Sequence, residues 1–132
     1  MSARSMQAFK TRSFAKWASA EGLGDDALAF AVVEMERDLI DARLGGQVVK
    51  KRVAFAGRGK RGSARTLLAF KQRDKAFFIY GFAKSERSNV SDKQLEALKV
   101  LAKELLNYPA PALADAIRAE KLIEIKVNDD GQ

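Results

Sequence analysis

The first 41 residues contain two stretches in which apolar residues recur at helical spacing. Residues 11–20 show this spacing, and Gly22 and Gly24 then interrupt it. Residues 25–41 carry apolar side chains on one helical face, while their charged residues lie largely elsewhere. The apolar positions of this second stretch are Leu28, Val32, Met35 and Leu39. We expect two helices, the second of them amphipathic with its apolar stripe in the core.

After Gly45 and Gly46, which are expected to end the second helix, the pattern changes to one typical of β-strands. Three segments rich in β-branched or aromatic residues follow, at residues 47–55, 65–71 and 76–83. A glycine-rich loop separates the first two segments, and a tight turn at residues 72–75 separates the last two. We expect these strands to form an antiparallel meander.

The C-terminal third of the chain combines helical and strand patterns. Ser91, followed by Asp92, has the character of a helix N-cap. The apolar residues of the helix that follows are Leu95, Leu98, Leu101 and Leu105. Pro109 and Pro111 are expected to end this helix. We then expect a short helix at residues 112–120, a strand at 122–127 and a polar tail at 128–132.

The length of the chain fits one folded domain. It has 132 residues, of which 47% are hydrophobic, enough for one apolar core with little room for a second domain. We therefore expect residues 1–132 to form a single α+β domain. In this domain a small antiparallel sheet packs against the two N-terminal helices, and a C-terminal helical segment and a short final strand complete the fold.

Positive charge is concentrated in the middle of the chain. Residues 50–87 contain twelve lysines or arginines against two acids, which gives this segment a net charge of +10. The rest of the chain has twelve basic residues against fifteen acids, and the whole chain has a net charge of +7 and a pI near 9.8. So local an excess predicts an anionic partner, either a nucleic acid or an acidic protein. The alternative is a solvated basic face without a ligand.

The residue types that the chain lacks limit the metals it can bind and the reactions it can catalyse. It contains no cysteine and no histidine, which removes the ligands that zinc and copper prefer and the usual general base of hydrolytic enzymes. We therefore expect no metal and no cofactor. No apolar run approaches the ~20 residues of a membrane span, and the N-terminus has no signal-peptide core. We expect a cytoplasmic protein that does not contact a membrane.

The order of these elements resembles that of a known family. Two N-terminal helices are followed by Val-Val-Lys-Lys-Arg-Val, a Gly/Lys/Arg loop, Ser63-Ala64-Arg65 opening a strand, and Phe82-Ala83-Lys84-Ser85-Glu86-Arg87 ending another. From about Phe9 to Leu106, this order is similar to that of the RelE/HigB superfamily of toxins from type II toxin–antitoxin modules. The resemblance implies an endoribonuclease that cuts messenger RNA, commonly on the ribosome, and that a cognate antitoxin holds inactive.

The same resemblance assigns candidate site residues. Arg65 occupies the place of the family's arginine at the start of the second meander strand, and Lys50 and Arg52 occupy the alternating basic positions of the preceding strand. Where the ribonuclease branch often has a catalytic arginine and tyrosine, this chain has Ser85 and Ser91. The candidate catalytic residues are Arg65, Lys50, Arg52, Lys84 and Glu86. The candidate RNA-binding residues are Lys51, Arg58, Lys60, Arg61, Lys71 and Arg87.

Metal-independent RNA cleavage uses the 2′-hydroxyl as the nucleophile against its own phosphate. Arg65 suits this reaction because a guanidinium group can donate to two phosphoryl oxygens at once and can stabilise the negative charge of the transition state. The alternative for Arg65 is a surface ion pair with Asp74 or Glu86. Without histidine, the proton acceptor has to be Glu86 or a lysine crowded by other cations. The lysines in such a position are Lys50, Lys51 and Lys84.

Tyr80 is a further candidate acid, with packing in the sheet as the favoured alternative. If Tyr80 shares a face with Phe78 and Phe82, the neighbouring residues of this strand lie on the opposite face. One face is then core, and the other is free to stack on bases. The loop at residues 57–62 is expected to contact RNA, with a solvated linker as the alternative.

Two other functions stay open from the sequence. The first is a non-enzymatic toxin that inhibits DNA gyrase, as the ParE relatives of the same fold do. The second is a nucleic-acid-binding module without catalytic activity. Under either toxin interpretation, we expect a cognate antitoxin of the helix-turn-helix type to cover the basic sheet. For the ribonuclease, messenger RNA and the ribosome are the other expected partners.

Overall fold

The computed structural model describes residues 6–55, 63–83 and 90–127. In these stretches the elements are, in chain order, β1 (Gln7–Thr11), α1 (Arg12–Glu21), α2 (Asp25–Glu36), β2 (Ala42–Gly45), β3 (Val48–Ala54), β4 (Ser63–Lys71), β5 (Lys75–Ala83), α3 (Asp92–Leu106), α4 (Ala110–Arg118) and β6 (Leu122–Ile125). None of these helices is long and apolar enough to cross a membrane. The expected α+β class is confirmed.

The strands of the described stretches form one sheet, in the order β2-β3-β4-β5-β1-β6. Strands β3, β4 and β5 make the predicted antiparallel meander, and β2 extends it antiparallel to β3. Strand β1 lies parallel to β5 and antiparallel to β6. The sheet is therefore wider than the meander, and the basic strands β3 and β4 lie on the side away from β1 and β6.

Helices cover both faces of this sheet. Helices α1 and α2 pack on one face, which we call the α2 face, around buried residues such as Leu28 and Phe78. Helices α3 and α4 pack on the other, the α3 face, around residues such as Leu98 and Phe77. The expectation that only one face is core is therefore wrong, because the C-terminal helices bury the second face as well.

Helix α2 ends at Glu36, earlier than the apolar pattern predicts. Asp38 adopts a φ of +69°, which the helix cannot continue through. The N–H of Leu39 donates to the carbonyl oxygen of Glu34 at 3.0 Å and closes the turn. Leu39 is consequently 54% exposed, and its predicted place in the core stripe is wrong. Residues 37–41 leave the helix as a turn and an irregular segment, and β2 begins directly after them at Ala42.

The reversal between β2 and β3 passes through Gly45, Gly46 and Gln47, all of which have positive φ. The expectation that the two glycines end the second helix is therefore wrong, because they turn one strand into the next. Helix α4 begins at Ala110, with Pro111 in its first turn, where the missing N–H costs no helical hydrogen bond. Strand β6 is two residues shorter than predicted.

Candidate nucleic-acid interface

Three basic side chains of the predicted site lie on one face of the sheet. Val48 of β3 belongs to the apolar cluster of the α3 face, and Lys50 and Arg52 follow it at intervals of two residues. In β4, Arg65 precedes Leu67 of the same cluster by two residues. Lys50, Arg52 and Arg65 therefore all project toward the α3 face. We call these three residues the cationic cluster.

Arg52 and Arg65 lie directly opposite each other on β3 and β4. The Cβ atoms of such a pair are about 4.5–5.5 Å apart, and like charges in this position destabilise a sheet. Within the described stretches, neither arginine nor Lys50 forms an ion pair with a carboxylate. Two arginines that start from such a pair can both reach a single anion, and an anion would relieve their repulsion.

Strand β5 contains a β-bulge at Ile79. Leu67 pairs with Tyr80 whereas Leu68 pairs with Phe78, so Ile79 is an extra residue. Ile79 belongs to the apolar cluster of the α3 face and Tyr80 packs against that cluster, while Phe78 lies on the α2 face. Of the condition that Tyr80 shares a face with Phe78 and Phe82, only the part concerning Phe82 is met. The bulge turns Tyr80 toward the face that carries the cationic cluster.

Tyr80 and Phe82 border the cationic cluster on β5. Phe82 lies opposite Arg65, while Tyr80 and Lys50 lie on either side of Leu67 in the next row of the sheet. The rings of Tyr80 and Phe82 have centroids 6.1 Å apart. Phe82 is 2% exposed, whereas Tyr80 is only half-buried. Phe82 is thus a packing residue, and Tyr80 keeps part of its side chain accessible near the cations.

Lys51 does not join the cationic cluster. Its side chain projects to the α2 face, and the residue is 6% exposed. Its Nζ lies 2.9 Å from Oε1 of Glu34 and donates to the carbonyl oxygen of Leu39, also at 2.9 Å. Lys51 therefore connects α2 and the segment after it to β3. This placement does not fit the prediction that Lys51 binds RNA.

The cations at the turn between β4 and β5 lie far from the cationic cluster. Lys71 comes six residues after Arg65 on the same strand, a separation of about 20 Å. Asp74 in this turn lies 3.1 Å from Nζ of Lys75 and 3.9 Å from Nζ of Lys71. The structure thus does not bring Lys71 together with the other predicted residues. Asp74 is also too distant to be the ion-pair partner of Arg65.

Six predicted site residues lie outside the described residues. They are Lys84, Glu86, Arg58, Lys60, Arg61 and Arg87. Ser85 lies outside them as well, but Ser91 does not. The hydroxyl of Ser91 accepts a hydrogen bond from the backbone N–H of Gln94 at 3.1 Å and caps α3, as predicted. Where the resemblance often places a tyrosine, this chain thus has a helix cap.

The arrangement supports binding and stabilisation of negative charge. Guanidinium and ammonium groups supply donors for phosphoryl oxygens, and the hydroxyl of Tyr80 can donate or accept a proton. Among the residues that the structure describes, no three acidic side chains lie together in a way that could hold a metal ion. Sequence reasoning misplaced Tyr80 because residues 77–82 are almost all apolar, so that nothing in them marks the bulge.

Comparison with known protein families identifies a relationship for most of the chain. A scan against protein families matches residues 6–125 to the family described as the RelE toxin of the RelE / RelB toxin-antitoxin system. The matched range runs from the residue before β1 to the end of β6 and includes the whole cationic cluster. A search of curated proteins found no significant match.

Proposed function

Because the chain belongs to the RelE family of toxins from RelE/RelB toxin–antitoxin systems, we propose that it arrests translation by cutting messenger RNA at the cationic cluster. The family implies an antitoxin partner. We further propose that the toxin acts in the cytoplasm on messenger RNA presented by the ribosome. A helix-turn-helix antitoxin that places acidic side chains over the cationic cluster would neutralise it.

The opposed arginines carry this proposal. Arg52 and Arg65 face each other on neighbouring strands, and no carboxylate of the described stretches pairs with them. Lys50 adds a third positive charge on the same face. A phosphodiester suits such a site because its two non-bridging oxygens match the paired N–H donors of a guanidinium group.

In the proposed reaction, the 2′-hydroxyl attacks the adjacent phosphorus, the bond to the 5′-oxygen breaks, and a 2′,3′-cyclic phosphate remains. Arg65 and Arg52 bind the non-bridging oxygens, where one well-placed donor contributes about 3 to 4 kcal/mol to the transition state. Tyr80, one row away, donates a proton to the departing 5′-oxygen. The candidates for accepting the proton of the 2′-hydroxyl are Lys50 and, outside the described residues, Lys84 and Glu86.

The substitution Arg65→Ala should abolish cleavage while the protein stays folded. We expect wild-type toxin induced in cells to create new messenger RNA ends within coding regions. Loss of one oxyanion donor should reduce this cleavage at least about 100-fold. Tyr80→Phe, which preserves the packed ring, should also reduce it. Arg43→Ala is the matched control. It removes an arginine of β2 that forms an ion pair with Asp38, and the variant should cleave RNA like wild type.

The same cells reveal the outcomes that contradict this proposal. Intact transcripts in cells that stop growing would rule out RNA cleavage as the mechanism, and an accompanying DNA-damage response would identify gyrase inhibition instead. Full cleavage by a folded Arg65→Ala variant would contradict the role of Arg65. Circular dichroism and thermal unfolding of each purified variant establish that it is folded.

A further inference from the structure

A groove of about 560 Å³ lies on the α2 face, between helix α2 and the ends of β3 and β4. Its volume falls within the range of about 300–1,000 Å³ that is usual for small-molecule sites. The apolar residues lining it are Ala27, Phe30, Ala31, Val53 and Ala54. The groove and the cationic cluster lie on opposite faces of the sheet, but Arg52 lines the groove as well.

The side chain of Phe30 is unusually accessible for an aromatic residue in an apolar groove. It is 64% exposed. Phe30 lies four residues after Asp26 and four before Glu34, so the three side chains form one stripe along α2. An exposed ring in this position offers a planar base a surface for stacking.

Asp26 differs from the other acids near the groove in having no cationic partner. Asp25 pairs with Lys10 at 2.7 Å, and Glu34 pairs with Lys51 at 2.9 Å. The carboxylate of Asp26 makes no ion pair or hydrogen bond within the described stretches. An ionised carboxylate can accept hydrogen bonds from two adjacent N–H groups. Asp26 therefore offers such an acceptor one helical turn from Phe30.

Arg52 connects the groove with the cationic cluster around one edge of the sheet. Strand β2 pairs with β3 only as far as Lys50, so β3 is an edge strand of the described sheet from Arg52 onward. The backbone N–H of Arg52 donates instead to Oδ2 of Asp41 at 2.7 Å. An RNA strand can pass around this edge, with a phosphate at Arg52 and the adjoining base in the groove.

We propose that this groove binds the guanine base of a nucleotide that flanks the cleaved phosphate, an inference that rests on the function proposed above. The base stacks on Phe30, and its N1–H and N2–H groups donate to the carboxylate of Asp26. Guanine fits best because its Watson–Crick edge presents two adjacent N–H donors, whereas the other bases present one donor beside an acceptor. The groove thereby determines the sequence at which the toxin cuts.

Mononucleotide binding by the full-length protein tests the base site without requiring cleavage. We expect guanosine 3′-monophosphate to bind about tenfold more tightly than cytidine 3′-monophosphate or inorganic phosphate in calorimetric titrations. Phe30→Leu and Asp26→Asn should each remove this preference, while inorganic phosphate still binds. The matched controls are Val100→Ala, at a residue that is also 64% exposed, and Asp115→Asn on α4. Both controls should keep the guanine preference.

Equal binding of the guanosine and cytidine nucleotides by the wild-type protein would overturn the assignment of the groove. The assignment would also be overturned if the Phe30→Leu and Asp26→Asn variants kept the wild-type preference for guanosine 3′-monophosphate. If these variants lose affinity for the antitoxin and keep the guanine preference, the groove is a protein-docking site and the base assignment fails. A wild-type protein that prefers guanosine and leaves messenger RNA intact would instead contradict the proposed cleavage.

Discussion

Trp17 of α1 lies against the backbone of Gly81 in β5. A Cβ atom added at Gly81 would come within 2.3 Å of Cζ3 of Trp17, a separation at which one of the two must move. Gly81 directly follows Tyr80, the residue that the bulge turns toward the cationic cluster. The contact with Trp17 therefore helps to hold the strand segment that presents Tyr80.

Gly81→Ala should lower the free energy of unfolding by about 1–3 kcal/mol, because the added methyl group displaces Trp17. Urea unfolding measures this change. Gly24→Ala is the matched control, since its Cβ would meet no atom within 4 Å, and its effect is confined to the small preference of the α2 N-cap for glycine over alanine. In a Trp17→Leu background, Gly81→Ala should lower the free energy of unfolding by much less. An equal cost in both backgrounds would show that Trp17 is not the cause.

Helix α3 depends on a cap at Ser91, the place where the family resemblance often implies a tyrosine. Ser91→Ala removes the hydrogen bond to the N–H of Gln94 and should lower stability by about 1 kcal/mol. Ser91→Thr retains a capping hydroxyl and should lose less. Neither substitution should change the rate of RNA cleavage by folded protein. Loss of cleavage in Ser91→Ala at full stability would assign Ser91 to the reaction and contradict its role as a cap.

The elements with a clear period were predictable, and so was the short strand β6, but strands β1 and β2 were not. Helix α1, the three meander strands and α3 with its Ser91 cap follow the sequence pattern. Strands β1 and β2, of five and four residues, have no counterpart among the predicted elements. Strand β1 also depends on pairing with β5 and β6, which are distant in sequence. Its formation is a tertiary effect that local propensity does not encode.

Part of the candidate site follows from residue spacing alone. The interval of two residues correctly placed Lys50 and Arg52 on one face. The burial of Lys51 was not predictable, because it depends on Glu34 of a separate helix. The register that places Arg52 opposite Arg65 was not predictable either. A shift of one residue would reverse every side chain, and the sequence does not specify the turn geometry that fixes the register.

At the scale of the whole molecule, the described cations of residues 50–87 do not form one continuous surface. Of its cations in the described stretches, three make up the cationic cluster, Lys51 is buried on the other face, and the remaining three lie in or beside the β4–β5 turn. These three are Lys71, Arg73 and Lys75. The positive charge concentrated in residues 50–87 of the sequence is thus brought together only in part among the described residues. Among the described residues, the proposed binding of RNA phosphate therefore depends on the cationic cluster.

The salt dependence of RNA binding tests most directly whether the cationic cluster binds RNA phosphates. A 2′-O-methylated RNA lacks the nucleophile and permits the measurement without cleavage. Each phosphate contact contributes about −0.7 to the slope of log affinity against log salt concentration. The slope of Arg52→Ala/Arg65→Ala should therefore be shallower than that of wild type by about 1.4. Arg43→Ala/Arg118→Ala removes the same charge elsewhere and should keep the wild-type slope, whereas equal slopes for all three proteins would contradict the account.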